Sequence, residues 1–380
     1  MLKGVKVRLY PNKNQELYIN KLLGSYRFVF NKCLERKIAA YNTDKTSLSL
    51  GDLSRYFHGE LTKQVETYFL QEHNTKVLNQ SILDLTDAYK RFFVNGNGFP
   101  KFKSRKDRQS ARFSREAISR LNDFMTGKIN LVSKLKKLKF ECSNKDKKYL
   151  NKYKSGIKSA TLSRDNSGNF FLSILIDGDV AKTFPSPINN IIGLDFGIKD
   201  FIVGSDGSRY ANIKSTRNNQ KRLSKLQREI SKKVLGSSNR EKSRKRLAVY
   251  QKKLNNKKIN YIHNITSKIV RENQTIVIED LNVKGMMQNH KMARSIQELS
   301  LSETRRQLEY KASWYERNLV VVDRFFPSSK LCSDCGYKYK NLSLNERRWI
   351  CPECGVEHDR DENASKNLEK EGERILSMKE

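Results

Sequence analysis

The sequence predicts a multidomain α/β protein: a small β-barrel interrupted by a helical bundle, then a second α/β domain that carries a cysteine ribbon. Three observations lead there. Strand-like alternation at residues 1–10, and again across 129–180, flanks a stretch from Gln15 to Phe93 whose apolar residues recur at helical spacing. A long apolar run, Ile191 to Val203, is interrupted by one acid before a glycine turn. Two Cys-x-x-Cys pairs lie toward the carboxyl end. At 380 residues the chain has length for roughly two or three domains and a sizeable core.

Charge narrows the partners. Lys and Arg number 75 against 41 acids, a net charge of +34. Such an excess drives a chain toward a polyanion, so nucleic acid is the leading partner. A membrane surface is disfavoured, because no apolar run approaches the roughly eighteen residues of a spanning helix. The first residues lack the apolar core of a signal peptide, so cytoplasmic residence with reduced thiols is the expectation. Cys33 and Cys142 stand apart from the other cysteines and read as small buried hydrophobes.

Taken in order, residues 1–10 alternate as a strand and Pro11-Asn12 ends it. Leu22, Leu23, Tyr26, Val29 and Phe30, then Val77, Ile82, Leu83, Leu85, Tyr89 and Phe93, give two helical stripes with a polar loop, Asn42–Ser54, between them. Asn95-Gly96-Asn97-Gly98-Phe99-Pro100 breaks the helix. The basic stretch Lys101–Ser110 follows, with Phe102 inside it, a mixture suited to phosphates and to base stacking. Strands are expected at Lys128–Val132, Ser159–Arg164 and Asn169–Ile176, the last two joined by the turn Asp165-Asn166-Ser167-Gly168. Pro185-Ser186-Pro187 reads as a stiff linker. Ile191–Val203 reads as a hairpin that raises Asp195 from a buried sheet, a costly place for a carboxylate without a cation beside it. Residues 217–272 read as a helical hairpin, broken at Gly236-Ser237-Ser238, with an apolar seam and an outer face dense in Lys and Arg for nucleic-acid backbone. Thr275–Leu281 is a buried strand ending in acids, a helix is expected from about Ser295 to Asn318, and Leu319–Asp323 is a further strand.

Cys332-x-x-Cys335 and Cys351-x-x-Cys354 have the spacing of a four-thiolate zinc ribbon, with Gly336 and Gly355 following each pair. Four thiolates leave no open position on the ion, so its role is expected to be structural. Asp195, Glu279 and Asp361 come from chain-distant elements whose order, strand, helices, strand, helix, strand, helix, is that of an RNase H-like sheet. Carboxylates converging in that fold hold two divalent ions, Mg²⁺ being the ion that suits oxygen ligands. Spacing alone does not separate Asp361 from Asp359, while Asp280 is expected on the face opposite Glu279. His358 and His263 read as structural neighbours.

Gly193-Leu194-Asp195-Phe196-Gly197, Ile278-Glu279-Asp280-Leu281, the cysteine pairs and Asp359-Arg360-Asp361-x-Asn363-Ala364 together resemble the TnpB family. Its members are transposon-encoded, RNA-guided DNA endonucleases related to the ancestors of type V CRISPR effectors. Val7-Arg8-Leu9-Tyr10-Pro11 and Phe99-Pro100-Lys101-Phe102-Lys103-Ser104 resemble it as well, so the likeness runs over essentially the whole chain. The resemblance implies a wedge β-barrel (1–14 and 95–185), a helical recognition domain (15–94) and a RuvC-like nuclease domain (186–330 and 358–380). The basic hairpin would lie at about 217–272 and the zinc ribbon at 331–357. It selects Asp195, Glu279 and Asp361 as the catalytic triad and as ligands of two Mg²⁺, with one structural Zn²⁺ on the four cysteines.

The implied partners are a guide RNA made from the transposon end and double-stranded DNA bearing a short flanking motif. The expected arrangement is one protein on one RNA, near the nucleoid. Lys76 and Gln80, one helical turn apart, are expected on the motif-reading surface. Phe99, Lys101, Lys103, Arg105, Lys221, Arg222, Lys225 and Arg228 are expected as further nucleic-acid contacts. The competing readings are a nuclease-inactive RNA-guided repressor, a guide-free RuvC or RNase H-like nuclease, and a DNA-strand transposase. The last lacks the His-x-His and tyrosine chemistry that it needs.

Overall fold

Alternation in the first strand already says which face is buried. β1 (Leu2–Tyr10) turns Val5, Val7 and Leu9 inward and leaves Lys6 and Arg8 outside. The computed structural model describes residues 2–119, 121–178, 190–343 and 346–378. It divides into two compact units, residues 1–179 and 180–380.

In the first unit, β1 is followed by α1 (Lys13–Asp44), α2 (Leu50–Tyr56) and α3 (Thr75–Asn95). Next come β2 (Gln109–Ser114), β3 (Lys128–Ile129), β4 (Leu138–Glu141), α4 (Asn144–Lys152), β5 (Ile157–Arg164) and β6 (Phe170–Asp177). The six strands form one sheet in the order β2-β5-β6-β1-β4-β3. β1 pairs antiparallel with β6 from Leu2↔Asp177 to Leu9↔Phe170, so the first strand is closed on by the last and the helices form an insertion. Asn12 caps α1 in a reciprocal box with Gln15, and α1 ends at Lys45 with φ 60°. α3 ends at Gly96 with φ 63°, the left-handed residue that helix ends favour. The Tyr26 hydroxyl donates to Asp84 at 2.6 Å and ties α1 to α3. The helical stripes and the inner sheet face share one core, from Val5 and Leu22 through Ile82 to Ile174.

The polar loop expected at Asn42–Ser54 is shorter, since α1 runs to Asp44 and α2 starts at Leu50. β2, β4 and α4 have no counterpart in the sequence reading. β4 is a four-residue alternation inside a lysine-rich run, and β2 buries only Ala111 and Phe113, so neither gives a periodic signal long enough to read.

The second unit contains β7 (Ile191–Asp195), β8 (Asp200–Gly204), β9 (Arg209–Ala211), α5 (Ser215–Asn218), α6 (Gln220–Ser231) and α7 (Ser238–Glu272). It continues with β10 (Thr275–Glu279), α8 (Val283–Met286), α9 (His290–Leu299), α10 (Leu301–Tyr315), β11 (Asn318–Val322), β12 (Arg348–Ile350), β13 (Glu357–Asp359) and α11 (Arg360–Ser377). Five strands form a mixed sheet, β11-β10-β7-β8-β9, in which β10 runs parallel to both β7 and β11. β10 is apolar over its three central residues, Ile276 to Ile278, because both faces are covered there. Ile276 and Ile278 pack with Ile262, Ile265 and Leu308 on one side, while Val277 packs with Val320 and Leu368 on the other. The helix expected from Ser295 to Asn318 is two helices, broken at Ser300, which takes φ 55°. No glycine or proline between 295 and 318 marks that break, which is why the sequence hides it. The linker Pro185-Ser186-Pro187 lies outside the described residues.

Candidate active site and metal centre

Asp195 is the last residue of β7 and Glu279 the last of β10. The two strands are parallel neighbours with Leu194 opposite Ile278, so the register brings both acids to one end of the sheet. Asp361 lies in the first turn of α11. That helix crosses the sheet where glycine removes the obstacle. A Cβ on Gly193 would overlap the Ser365 carbonyl oxygen and stand 2.6 Å from the Glu369 nitrogen, and one on Gly372 would overlap the Val277 side chain. The close approach carries the start of α11, and Asp361 with it, toward Asp195.

Electrostatics report the convergence. The Asp195 carboxyl is pushed up to about 7, first by burial and then by the negative charges of Asp361 and Glu279; Arg360 and Arg347 oppose the shift. Glu279 is also raised, by burial and by Asp280. Asp361 is nearly buried and meets the Arg347 guanidinium at 3.0 Å and 3.2 Å through its two oxygens. Asp359 does different work. It caps α11, accepting from the Asp361 and Glu362 amides at 3.1 Å and 3.2 Å, and Arg209 lies 3.2 Å away. Burial pushes the Asp359 carboxyl up, but the Glu362 amide and Arg209 outweigh it and hold the group below the ordinary range. Asp280 pairs with Arg305 at 2.6 Å and with Arg324.

Among the described residues, only cysteine-centred groups bring three or more ligand atoms all within 4.8 Å of one another. The three acids therefore do not form a closed cage around one point. Beside Glu279 opens a cavity of about 420 Å³, walled by Phe196, Lys284, Arg305, Arg306, Glu309 and Arg324, in which Arg305 also pairs with Glu309 and Arg306 with Glu303. Carboxylates beside a wall of ion-paired guanidinium groups and Lys284 suit chemistry on a phosphodiester with a divalent ion. Sequence reasoning missed this wall, and also Arg347 and Arg209. Arg347 lies inside the cysteine ribbon, and nothing in its spacing announces a partner fourteen residues on.

The cysteines form the second centre. Cys332 and Cys354 sulfurs lie 3.6 Å apart, as do those of Cys335 and Cys351, and all four fall within one 4.8 Å group. A tetrahedron of thiolates at about 2.3 Å from zinc has edges of about 3.8 Å, so the four residues fit that ion. Gly336 and Gly355 adopt φ 78° and 72°, and their amides donate back to the Cys332 and Cys351 carbonyls at 3.0 Å and 2.9 Å. His358 sits with Nε2 3.1 Å from the Cys332 sulfur and its ring against Trp349, a neighbour of the thiolates. The ribbon is fastened to α11 by two asparagines. Asn363 accepts from the Ser333 amide at 2.8 Å, and both Asn363 and Asn367 donate to the Leu331 carbonyl, at 2.6 Å and 2.7 Å.

The expected nucleic-acid contacts divide between the units. In the first, Lys76 is exposed at the start of α3, 3.6 Å from Glu116, and Gln80 is half-buried one turn on. Phe99 meets Tyr89 and Phe92 edge-on at 5.5 Å each. Lys101 and Arg105 are exposed. Lys103 is tied down: its ammonium lies 3.6 Å from the centre of the Phe30 ring, and its backbone exchanges two hydrogen bonds with Asn31. In the second unit Lys221, Arg222, Lys225 and Arg228 are all exposed on α6, with Arg222 over the Tyr250 ring at 4.9 Å. Cys33 is buried and its thiol is pushed up to about 12 by that burial. Among the described residues, no helix is long and apolar enough to cross a membrane.

Comparison with known proteins adds the lineage. Three family models match: a probable transposase model over residues 176–290, a Cas12f1-like TNB domain over 302–368 and a helix-turn-helix domain over 1–46. The residues under the last are one strand and one 32-residue helix. A protein of Streptomyces pristinaespiralis named "Putative RNA-guided DNA endonuclease" is 36% identical over 370 residues, 96% of this chain and 88% of its own. The "Putative RNA-guided DNA endonuclease InsQ" of Escherichia coli K12 is 28% identical, over 100% of this chain and 94% of its own. The solved mini-RNA-guided endonuclease CRISPR-Cas phi3 covers 97% of this chain and 92% of its own at a TM-score of 0.53 and 10% identity, a likeness of fold. The chain belongs to the TnpB family of RNA-guided DNA endonucleases.

Proposed function

We infer that this chain is the RNA-guided DNA endonuclease of a bacterial or archaeal transposon. It pairs a guide RNA from the transposon end with one strand of double-stranded DNA beside a short flanking motif, and it hydrolyses the DNA backbone. The observation that carries the reading is that β7 and β10 end side by side in Asp195 and Glu279, with the Asp195 carboxyl raised by burial and by the charges of Asp361 and Glu279. The strand order β9-β8-β7-β10-β11, that of an RNase H-like sheet, supports a RuvC-like domain over 186–330 and 358–380. The closing of β1 on β4 and β6 around the helical insertion supports a wedge of residues 1–14 and 95–185 around a recognition domain of 15–94.

In this reading Asp195, Glu279 and Asp361 hold two Mg²⁺, which when bound supply an activated water and neutralise the leaving oxygen. Asp195, its carboxyl near 7, is poised to release its proton as positive charge arrives. Arg347, which faces Asp361 in this structure, gives up or shares that carboxylate. Arg305, Arg306, Arg324 and Lys284 receive the phosphate backbone beside Glu279. One Zn²⁺ on Cys332, Cys335, Cys351 and Cys354 holds the ribbon (331–357) and takes no part in hydrolysis. Lys76 and Gln80 belong to the surface that reads the flanking motif. Phe99, Lys101, Arg105, Lys221, Arg222, Lys225 and Arg228 contact RNA or DNA, and Lys103 supports the same loop. The protein works as one copy on one RNA at the nucleoid.

The test uses protein purified with its co-expressed RNA, guide-matched DNA and Mg²⁺. Asp195→Ala, Glu279→Ala and Asp361→Ala are each expected to lower cleavage at least about a thousandfold, as loss of several kcal/mol of transition-state stabilisation requires. RNA binding should be unchanged. Parental cleavage by any of the three overturns the site. Cleavage without RNA points to the guide-free nuclease, and guided binding without cleavage to the repressor.

A further inference from the structure

In the first unit a cleft of about 260 Å³ opens between α1, the loop before β2 and the end of β5. Its lining includes Asn20, Gly24, Arg27, Arg105, Gln109 and Arg164. Three guanidinium groups on chain-distant elements thus face one space. Among the described residues, none of the three is paired with a carboxylate, and two of them, Arg27 and Arg164, are half-buried. Both are aimed by neutral amides. Arg164 donates to the Asn20 side-chain oxygen at 3.0 Å, and Arg27 donates to that of Gln109. The Gln109 nitrogen in turn donates to the Ser104 and Asp107 carbonyls at 3.1 Å and 2.7 Å, so the loop carrying Arg105 is held against the same support. Asp107 is engaged elsewhere, accepting from the Ser104 amide at 2.6 Å.

Like charges gathered in a partly desolvated cleft repel one another unless an anion joins them. A guanidinium presents five donors in a planar fork, and each of the two oriented ones has a single donor taken by its amide. The remaining donors match the oxygens of a phosphate. Gly24 leaves the floor of the cleft open, since a Cβ built there meets nothing within 4 Å. The exposed cations Lys101, Lys106 and Arg108 on the loop that carries Arg105 extend the positive field past the rim.

We propose that this cleft grips one phosphodiester group of a nucleic-acid strand, with Arg27 and Arg164 as the inner fork and Arg105 closing the rim. The assignment rests on the reading of the protein as nucleic-acid-binding, and it names an anchor that the motif-reading pair and the catalytic acids do not provide.

Gly24→Leu tests it by plugging the cleft without removing a charge. Leucine is a better helix former than glycine, so α1 should fold at least as well. The full chain, wild type and variant, is titrated with mixed-sequence RNA and with single-stranded DNA over a range of salt, and melting is recorded alongside. The expected result is a loss of affinity of about tenfold near 0.15 M salt, with the slope of log K against log salt reduced by about 1. Melting should be unchanged or higher. Arg164→Lys, which keeps the charge and loses the fork, should also weaken binding, with the slope retained. A loss confined to RNA assigns the phosphate to the guide, a loss confined to DNA assigns it to the target, and an equal loss assigns it to whichever strand arrives first. A well-folded Gly24→Leu protein with parental affinity and slope on both probes overturns the proposal. A wild-type protein that binds neither probe overturns the wider nucleic-acid reading instead.

Discussion

Asp195 is stable in this fold only at a cost that pH controls. Its carboxyl sits near 7, against about 3.9 for an unperturbed aspartate. An acid raised on folding keeps its proton longer in the folded state, so stability drains away as pH climbs from about 4 to about 7 and the deficit is complete above that. Asp195→Asn keeps the shape and drops the charge. In metal-free protein it is expected to raise the melting temperature by roughly 2–6 °C at about pH 8, an advantage that shrinks toward pH 5. Melting curves across that range check it; a variant no more stable than the parent at pH 8 would mean that Arg347 and Arg360 already neutralise the acid. The same scale holds a distinction that spacing could not make. Asp359 and Asp361 carry the same chemistry two residues apart, but one accepts the amides that start α11 while the other faces Arg347.

Helix α11 is the element on which the site depends. Its first turn bears Asp361, its asparagines hold the ribbon and its middle presses on β7 and β10. Gly193→Ala would place a methyl group against the Ser365 carbonyl and push the helix away. The expected cost is about 1–3 kcal/mol of stability, with cleavage falling further than that loss explains because Asp361 moves with the helix. Denaturant titration beside a cleavage assay on guide-matched DNA separates the two effects, and parental values in both would show that α11 has room to spare. The basic hairpin α6 and α7 was legible because its seam repeats over many turns. β2 and β4 were not, being too short to repeat.

At the scale of the whole molecule, the units have separate cores: one runs from Val5 to Ile176, and the others are built from residues after 190. Zinc is expected to support only the second. Stripping the ion with a chelator, or Cys351→Ser, should lower one calorimetric transition by at least about 5 °C and leave the other in place. A single transition shifting as a whole would show that the units unfold together. The net charge of +34 belongs to this scale too. It told the class of partner early, because so large an excess of cations draws a polyanion to the surface.

The sequence by itself determined the elements with long repeats, the sign of the charge, the four thiolates and the three acids worth watching. These are local or additive properties: a period of two or 3.6, a Cys-x-x-Cys turn and a sum of charges can all be read along a line. Only the tertiary structure decided that Gly193 lets α11 reach the sheet, that Arg347 faces Asp361, that Asp359 is a cap, and that Arg27, Arg105 and Arg164 share one cleft. Each of those facts is a meeting of side chains whose distance is set by strand register and helix docking, and such meetings leave no periodic trace in the chain that makes them.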